Sequence, residues 1–400
     1  MTTPRQKATR PRDRKQQIVA AASEMFRASG YHNVGMADIA EAVGISGPAL
    51  YRHFRGKQDL LHATLVDAID TTTEAFRSGY SDLPTMLGAV AAVILEKRHA
   101  GVLWERELTH MPPEQRQELR IRYVAGIEPL RAVIAKTRPE LPADTVDLLL
   151  RAVLASFTAM GPYSGKVATP RTVELMTDVG LALCRAEAPV LRETSGGDRP
   201  PVSRGLLLPV SRREAVLAGA TRLFAERGYG AVGMEDIATA AAGMAGPSLY
   251  HHFAGKSAIL VAALTRCLEA MLFDLSAALD LAETHGQALD AALRSFVRLN
   301  LEHGDAMSAL LSEIVYLSPE ERQPVRRMQH DFVAEWTALV TGHRPDLSAA
   351  EAELIVHATI NVVNGLRHTT GVWMRPAYRE ELILLGRTVL GLPAQPGQGA

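Results

Sequence analysis

The sequence predicts an all-α protein made of two copies of one unit, and three observations lead there. Ala, Leu, Arg and Glu dominate its texture, and runs of alternating β-branched residues are missing. Apolar residues recur at helical spacing, as with Ile18, Val19, Ala22, Met25 and Phe26. The chain also says nearly the same thing twice: residues 26–57 read FRASGYHNVGMADIAEAVGISGPALYRHFRGK, and residues 224–256 read FAERGYGAVGMEDIATAAAGMAGPSLYHHFAGK. A repeat with a period of about 200 residues marks duplicated domains and not a solenoid of short repeats.

Taken in order, residues 15–29 form an amphipathic helix that Gly30 closes from the C′ position. Met36 to Val43 makes two helical turns, with Ile39, Ala40 and Val43 apolar. Gly44 stops that helix where a left-handed residue is needed, and Ile45 fills the angle to the next one. Ser46 is an N-cap, and Pro48 is tolerated in the first turn of a short helix over 47–53. Lys57 opens the following helix. Residues 144–160 make a long apolar helix through Val146, Leu149, Leu150, Val153, Leu154 and Phe157, and 349–366 repeat its pattern. The duplication reaches further: PEQRQ at 113–117 returns as PEERQ at 319–323, and RPEL at 138–141 returns as RPDL at 344–347. Pro, Gly, Ser and Arg mark 189–209 as a linker between the units, and the tails 1–13 and 393–400 read as disordered.

Four hundred residues are enough for several cores. The net charge is −1, but it is uneven. Residues 1–57 carry ten Lys or Arg against four acids, a local +6, whereas 204–256 carry six against four. Such asymmetry points to nucleic acid or another acidic surface. Two distant cysteines, Cys184 and Cys267, exclude a disulfide framework or zinc finger and read as small apolar helix residues. No apolar run is long enough to span a bilayer, and the basic N-terminus lacks the apolar stretch of a secretory signal. The expected location is therefore the cytoplasm, on the nucleoid, with no membrane partner.

Helix, tight turn with glycine, and short helix make a helix-turn-helix, whose second helix enters the DNA major groove. The domains are then a basic arm (1–13), a first helix-turn-helix (14–61) and a first helical domain (62–188). After the linker come a second helix-turn-helix (210–260), a second helical domain (261–392) and a tail (393–400). In the first reader Gly47, Ala49, Arg52 and His53 are the exposed positions of the second helix and, with Ser46 and Pro48, the candidate DNA contacts. The early small residues let the backbone approach the bases, and for His53 the plainer reading is a packed or capping ring. Tyr51 and Lys57 reach phosphates, and Arg14 with the rest of the basic arm trails along the backbone or into the minor groove. The matching residues of the second reader are Ala245, Gly246, Pro247, Ser248, Tyr250, His251 and Lys256.

These stretches, GYHNVGMADIA followed by GISGPALYRHFRGK and their second copies, resemble the DNA-binding domain of TetR-family transcriptional regulators. The resemblance implies an all-α subunit with an N-terminal three-helix reader and a larger helical domain. It also implies a small-molecule effector pocket in that domain, a dimer interface formed by the last two long helices, and release of DNA when effector binds. Met36 and Met234 stand where many members have Thr, at the cost of one hydroxyl-to-phosphate contact. The second copy departs further. It holds one residue more between Ile237 and Gly243 than the first holds between Ile39 and Gly44. Ala245 replaces Ser46, His251 replaces Arg52, and Ala254 replaces Arg55.

Residues expected to line the pocket are Trp104, Met111, Tyr123, Arg151, Phe157, Met160, Tyr316, Phe332, Trp336, His357, Asn361 and Asn364. For most of the apolar ones the plainer reading is core, and for the two asparagines it is an interhelix hydrogen bond. Arg151 and His357 occupy matching positions suited to an anionic ligand or to the surface. Adjacent His251 and His252 do not share a helix face, so they make no metal site. No Gly-rich phosphate loop or metal-ligand spacing points to an enzyme or a cofactor. The reading is a ligand-released repressor of double-stranded DNA, with both units paired inside one chain as a pseudo-dimer. Two alternatives stand beside it: a homodimer of chains binding DNA through the first units only, and a sensor or protein-interaction module without DNA.

Overall fold

The computed structural model describes residues 11–77, 79–80, 82–96, 111–160, 167–187, 211–241, 246–304, 307, 313–367, 375 and 377–393. Among them every long element is a helix, and eight helices of one unit recur in the other. The first unit holds α1 (Pro11–Ser29), α2 (Met36–Ala42), α3 (Gly47–Tyr51), α4 (Lys57–Arg77), α5 (Leu83–Glu96), α6 (Pro113–Thr137), α7 (Ala143–Thr158) and α8 (Thr169–Arg185). The second holds α9 (Arg212–Arg227), α10 (Met234–Ala240), α11 (Gly246–Leu249) and α12 (Lys256–Asp280). It continues with α13 (His285–Glu302), α14 (Pro319–His343), α15 (Ala349–Arg367) and α16 (Tyr378–Leu390). The expected linker at 189–209 and residues 1–10 and 394–400 of the tails lie outside the described residues. Residues 11–13, expected to be disordered, instead begin α1, with Pro11 in the first turn where its missing N–H costs nothing.

The caps follow the local sequence. Gly30 and Gly228 end α1 and α9 with φ near +80° (80° and 77°), which a side chain would resist. Each leads into a one-turn 3-10 segment, Tyr31–Asn33 or Tyr229–Ala231. Gly44 takes the expected left-handed turn at φ 66°. The Asp38 and Asp236 carboxylates accept the Gly35 and Gly233 N–H groups at 2.7 and 2.8 Å and so start α2 and α10. The RPEL and RPDL repeats form matching ends to α6 and α14. Arg138 and Arg344 pair with Glu140 and Asp346, and each Arg backbone N–H bonds the carbonyl four residues back.

The readers are packed differently. Ile18, Ala22, Phe26, Ile39, Leu50, Leu60 and Leu61 form a core belonging to the first reader, extended by Leu65, Ile69, Met111 and Leu119. The core of the second reader runs without a break into both helical domains. The interruption in the first unit falls at Thr73, buried on α4 with its hydroxyl bonded to the Ile69 carbonyl at 2.8 Å. Leu272 occupies the corresponding place on α12. Cys184 and Cys267 are buried and free, and burial pushes their thiols up to about 12 and about 11.

The two units meet through equivalent helices. α7 packs along α15 and α8 against α16, the arrangement an isologous interface takes. Gly365 brings α15 close to α7: a Cβ there would lie 3.1 Å from Ala155 Cβ. Asn361 donates to Thr158 Oγ1 at 3.0 Å across the interface. Arg375 joins the units by pairing with Glu381 of its own unit and Asp144 of the other, and it reaches Thr145 Oγ1 at 3.3 Å. Glu351 accepts from the Ser348 amide and hydroxyl and from Arg171 Nε of the other unit at 2.5 Å.

The Ser348 hydroxyl and amide, with Arg171, hold the Glu351 carboxyl down from 4.5 to about 2. A carboxylate lowered by folding stabilises the native state above its unfolded pKa, and that contribution fades as pH falls through the native one. Acid titration should therefore loosen the start of α15, and with it the Arg171 contact between the units, between about pH 4.5 and 2. Glu351→Gln should flatten this part of the stability profile in urea melts at several pH values. An unchanged profile in the variant would remove Glu351 from the account.

Candidate nucleic-acid interface

The reader is built around two anchored side chains. In the first unit Leu50 and Phe54 are buried (0 and 2% exposed), and in the second Leu249 and Phe253 match them (0 and 6%). Burying these anchors turns the opposite side of α3 and α11 outward. Tyr51 and Tyr250 stand in solvent at 56 and 57% exposure, large apolar rings that the fold itself does not use. Ser46, Pro48 and Arg52 are exposed, and Gly47, Ala49 and His53 are half-buried. In the second reader Pro247 and His251 are exposed and Ser248 is half-buried, while Ala245 and the extra residue of the turn lie outside the described residues. Met36 is half-buried and packs on the reader core. This is a small, convex surface bearing an aromatic and a basic group, of the size a major groove accepts.

Several expected contacts take other forms. Ser46 occupies the N-cap position, yet its hydroxyl makes no capping bond; its carbonyl accepts the Ala49 and Leu50 N–H groups instead. Lys57 is held by its own reader. Its Nζ sits 4.4 Å over the Tyr31 ring and donates to the His32 carbonyl at 3.3 Å. Lys256 repeats this, 4.1 Å over Tyr229 and bonded to the Tyr229 and Val232 carbonyls at 2.9 Å each. Burial pulls Lys256 below the ordinary lysine range, against the opposing charge of Glu313. These lysines close the reader from within, because a turn ending in outward carbonyls needs a donor. Arg14 likewise donates to the Val43 carbonyl at 3.4 Å, at the C-terminal end of α2, where a cation complements the helix dipole.

Lys15, expected to trail along DNA with the basic arm, and Arg213, given no role by the sequence, each pack on an anchor of their reader. Lys15 Nζ lies 5.3 Å over Phe54 and Arg213 Cζ 5.0 Å over Phe253, each fixing a cation beside the short helix. Their conservation of charge between the two copies was the available signal.

The expected pocket residues do not form one site. Trp104 lies outside the described residues. Met111 belongs to the core of the first reader, because it immediately precedes α6, which packs along α4. Phe157 and Met160 are fully buried core, Tyr123 bridges the two cores, and Arg151 is half-buried. Tyr316 packs on the readers, stacked on Tyr229 with ring centroids 5.8 Å apart. Asn361 makes the inter-unit bond given above, and His357 lies 4.0 Å from Glu353. Asn364 is buried, and its Oδ1 has no partner among the described residues. Phe332 and Trp336 do share a cluster with Phe296, their ring centroids 5.7–6.1 Å apart. It borders a cavity of about 10 Å³, room for a single water. Trp336 Nε1 and both amide atoms of Asn300 are buried without partners among the described residues. Among those residues no group of three or more His, Cys, Asp or Glu could hold a metal ion. No described helix is long and apolar enough to cross a membrane.

Two such modules, each carried on a helical domain, define a helix-turn-helix regulator. Comparison with known proteins agrees. Residues 18–64 and 216–263 each match the model of bacterial regulatory proteins of the tetR family, and 282–377 match a tetracyclin repressor-like C-terminal domain. The chain is 30% identical over 200 residues to the "Probable HTH-type transcriptional regulator ArpR" of Pseudomonas putida, covering 44% of this chain and 93% of that protein. It is 44% identical over 68 residues to the "HTH-type transcriptional activator FasR" of Mycolicibacterium smegmatis, covering 17% of this chain and 31% of that one. FasR and the regulator HbdR of Aromatoleum are thus spanned over only 31 and 48% of their lengths. The solved ketosteroid transcriptional regulator KstR2 of Mycobacterium tuberculosis is similar at 22% identity and a TM-score of 0.41, over 47% of this chain and 97% of that one. The chain belongs to the TetR family, with the reader present twice.

Proposed function

We propose that this protein is a ligand-released repressor that binds an operator as an intramolecular pseudo-dimer, one half-site per unit. The observation that carries this reading is the packing of α7 on its own repeat α15, which uses within one chain the helices that two subunits would otherwise pair. Both readers keep their outward tyrosine, so each offers a surface to a major groove. The half-sites would lie about 34–36 Å apart, and because the readers differ in sequence the operator is an imperfect palindrome. The effector opens the one-water cavity of the second helical domain beside Phe296, Phe332 and Trp336, where Trp336 Nε1 and Asn300 have no hydrogen-bond partner among the described residues. Operator occupancy blocks transcription, and effector binding ends it.

Mass in solution and a footprint test this together. A particle of 43.3 kDa protecting two unequal half-sites is expected. A particle of twice that mass, whose protection survives Tyr250→Ala unchanged, would establish a homodimer reading DNA through the first units and would end the proposal. Loss of all salt-dependent DNA binding would leave a sensor module instead.

A further inference from the structure

The two readers touch each other, and they do so at matching residues. His32 and Gly230 hold the same place in the two copies, the second position of the turn that follows α1 or α9. A Cβ built on Gly230 would lie 2.2 Å from His32 Cδ2, so the imidazole occupies the space that the absent side chain leaves. Tyr316, from the second helical domain, completes the contact. Its ring stacks on Tyr229 of the second reader, lies 6.0 Å from the His32 ring of the first, and fills the space above Gly30, where a Cβ would come within 2.7 Å of Tyr316 Cε1. Glu313, three residues earlier, accepts the Tyr229 N–H at 2.9 Å and ties the same segment to the second reader.

We infer that His32, Gly230 and Tyr316 form a pivot between the two readers that fixes the spacing of the half-sites the protein accepts. The inference rests on the pseudo-dimer reading above and adds the part that sets its geometry. Contact between equivalent residues places the pivot on the local twofold relation of the readers. Pairing like with like would set two imidazoles in the room of one, or leave a gap between two glycines. The unequal pair fits one ring into one space, so the copies have become complementary at the point where they meet. His32 and Gly230 both lie at the surface, so the stop is steric: the ring meets bare backbone at Gly230 and the readers cannot close further without moving it. Tyr316 brings the second helical domain to bear on both readers at that stop.

The test is selection from a randomised pool of double-stranded DNA by the full-length protein and its variants, reading half-site sequence and spacing together. Wild type should select paired half-sites at one spacing. His32→Ala should select the same half-sites over a broadened range of spacings, because the stop is gone. Gly230→Val should bind the wild-type-spaced site about tenfold more weakly, and adding His32→Gly to it should restore most of that loss. His32 lies at a partly exposed turn, so its alanine variant tests the pivot even if Gly230→Val does not fold. Single spacing retained by His32→Ala would overturn the pivot, as would wild-type affinity in Gly230→Val. Absence of paired half-sites in the wild-type selection would instead overturn the pseudo-dimer, and the pivot with it.

Discussion

Arg52→Ala should lower operator affinity by about 5- to 150-fold, the range of one lost arginine contact of 1–3 kcal/mol, whereas His251→Ala at the matching position should cost only a few-fold. Arg52 stands exposed on the last turn of α3, next to the solvent-facing Tyr51, and α3 is held from behind by Leu50 and Phe54. A guanidinium offers five donors and a permanent charge, so it serves either a guanine edge or a phosphate pair. An imidazole has only two ring nitrogens and cannot match that fork of donors. Affinity titrations at several salt concentrations separate the roles: a phosphate contact lowers the salt slope by about one, and a base contact relaxes specificity at one position. Equal losses from the two substitutions would mean that the readers contribute equally and that the divergence of the second copy is without consequence for binding.

Arg375→Ala should be the most damaging single change to the union of the two units, at about 3–5 kcal/mol, the cost of breaking a buried pair by removing one partner. The Arg375 and Glu381 side chains are 16 and 4% exposed, and the guanidinium also reaches Asp144 and Thr145 of the other unit. Its removal leaves the Glu381 carboxylate buried without its charged partner. Denaturant unfolding measures the loss. Glu381→Gln in the Arg375→Ala background should recover part of it, since the stranded charge is then removed. A loss below about 1 kcal/mol, as for a surface ion pair, would show that solvent reaches the pair and that the interface does not depend on it.

The helices and the duplication were legible because they depend on neighbours in sequence. Apolar spacing defined α1, glycine at 44 required the left-handed turn, and the near-identical spans at 26–57 and 224–256 fixed two readers. The outward face of α3 was readable for the same reason, since Leu50 and Phe54 are apolar and Tyr51 and Arg52 lie between them. Long flexible cations were not readable. Lys57 and Lys256 read as phosphate ligands, but each side chain can reach backward as easily as outward, and here they donate to carbonyls some 25 residues earlier. Met111 and Tyr316 read as pocket residues by type alone; in the fold each stands just before a long helix, α6 or α14, and packs on the readers.

The sequence by itself determined two all-α units, each opening with a helix-turn-helix, and marked the second as the altered copy. Periodicity and turn chemistry suffice for that, because they act over a few residues. Only the tertiary structure decided that α7 lies on α15, that Arg375 and Asn361 join the units, and that His32 fills the space above Gly230. Those contacts join residues some 200 positions apart, and their energy depends on shape and burial that no local pattern encodes.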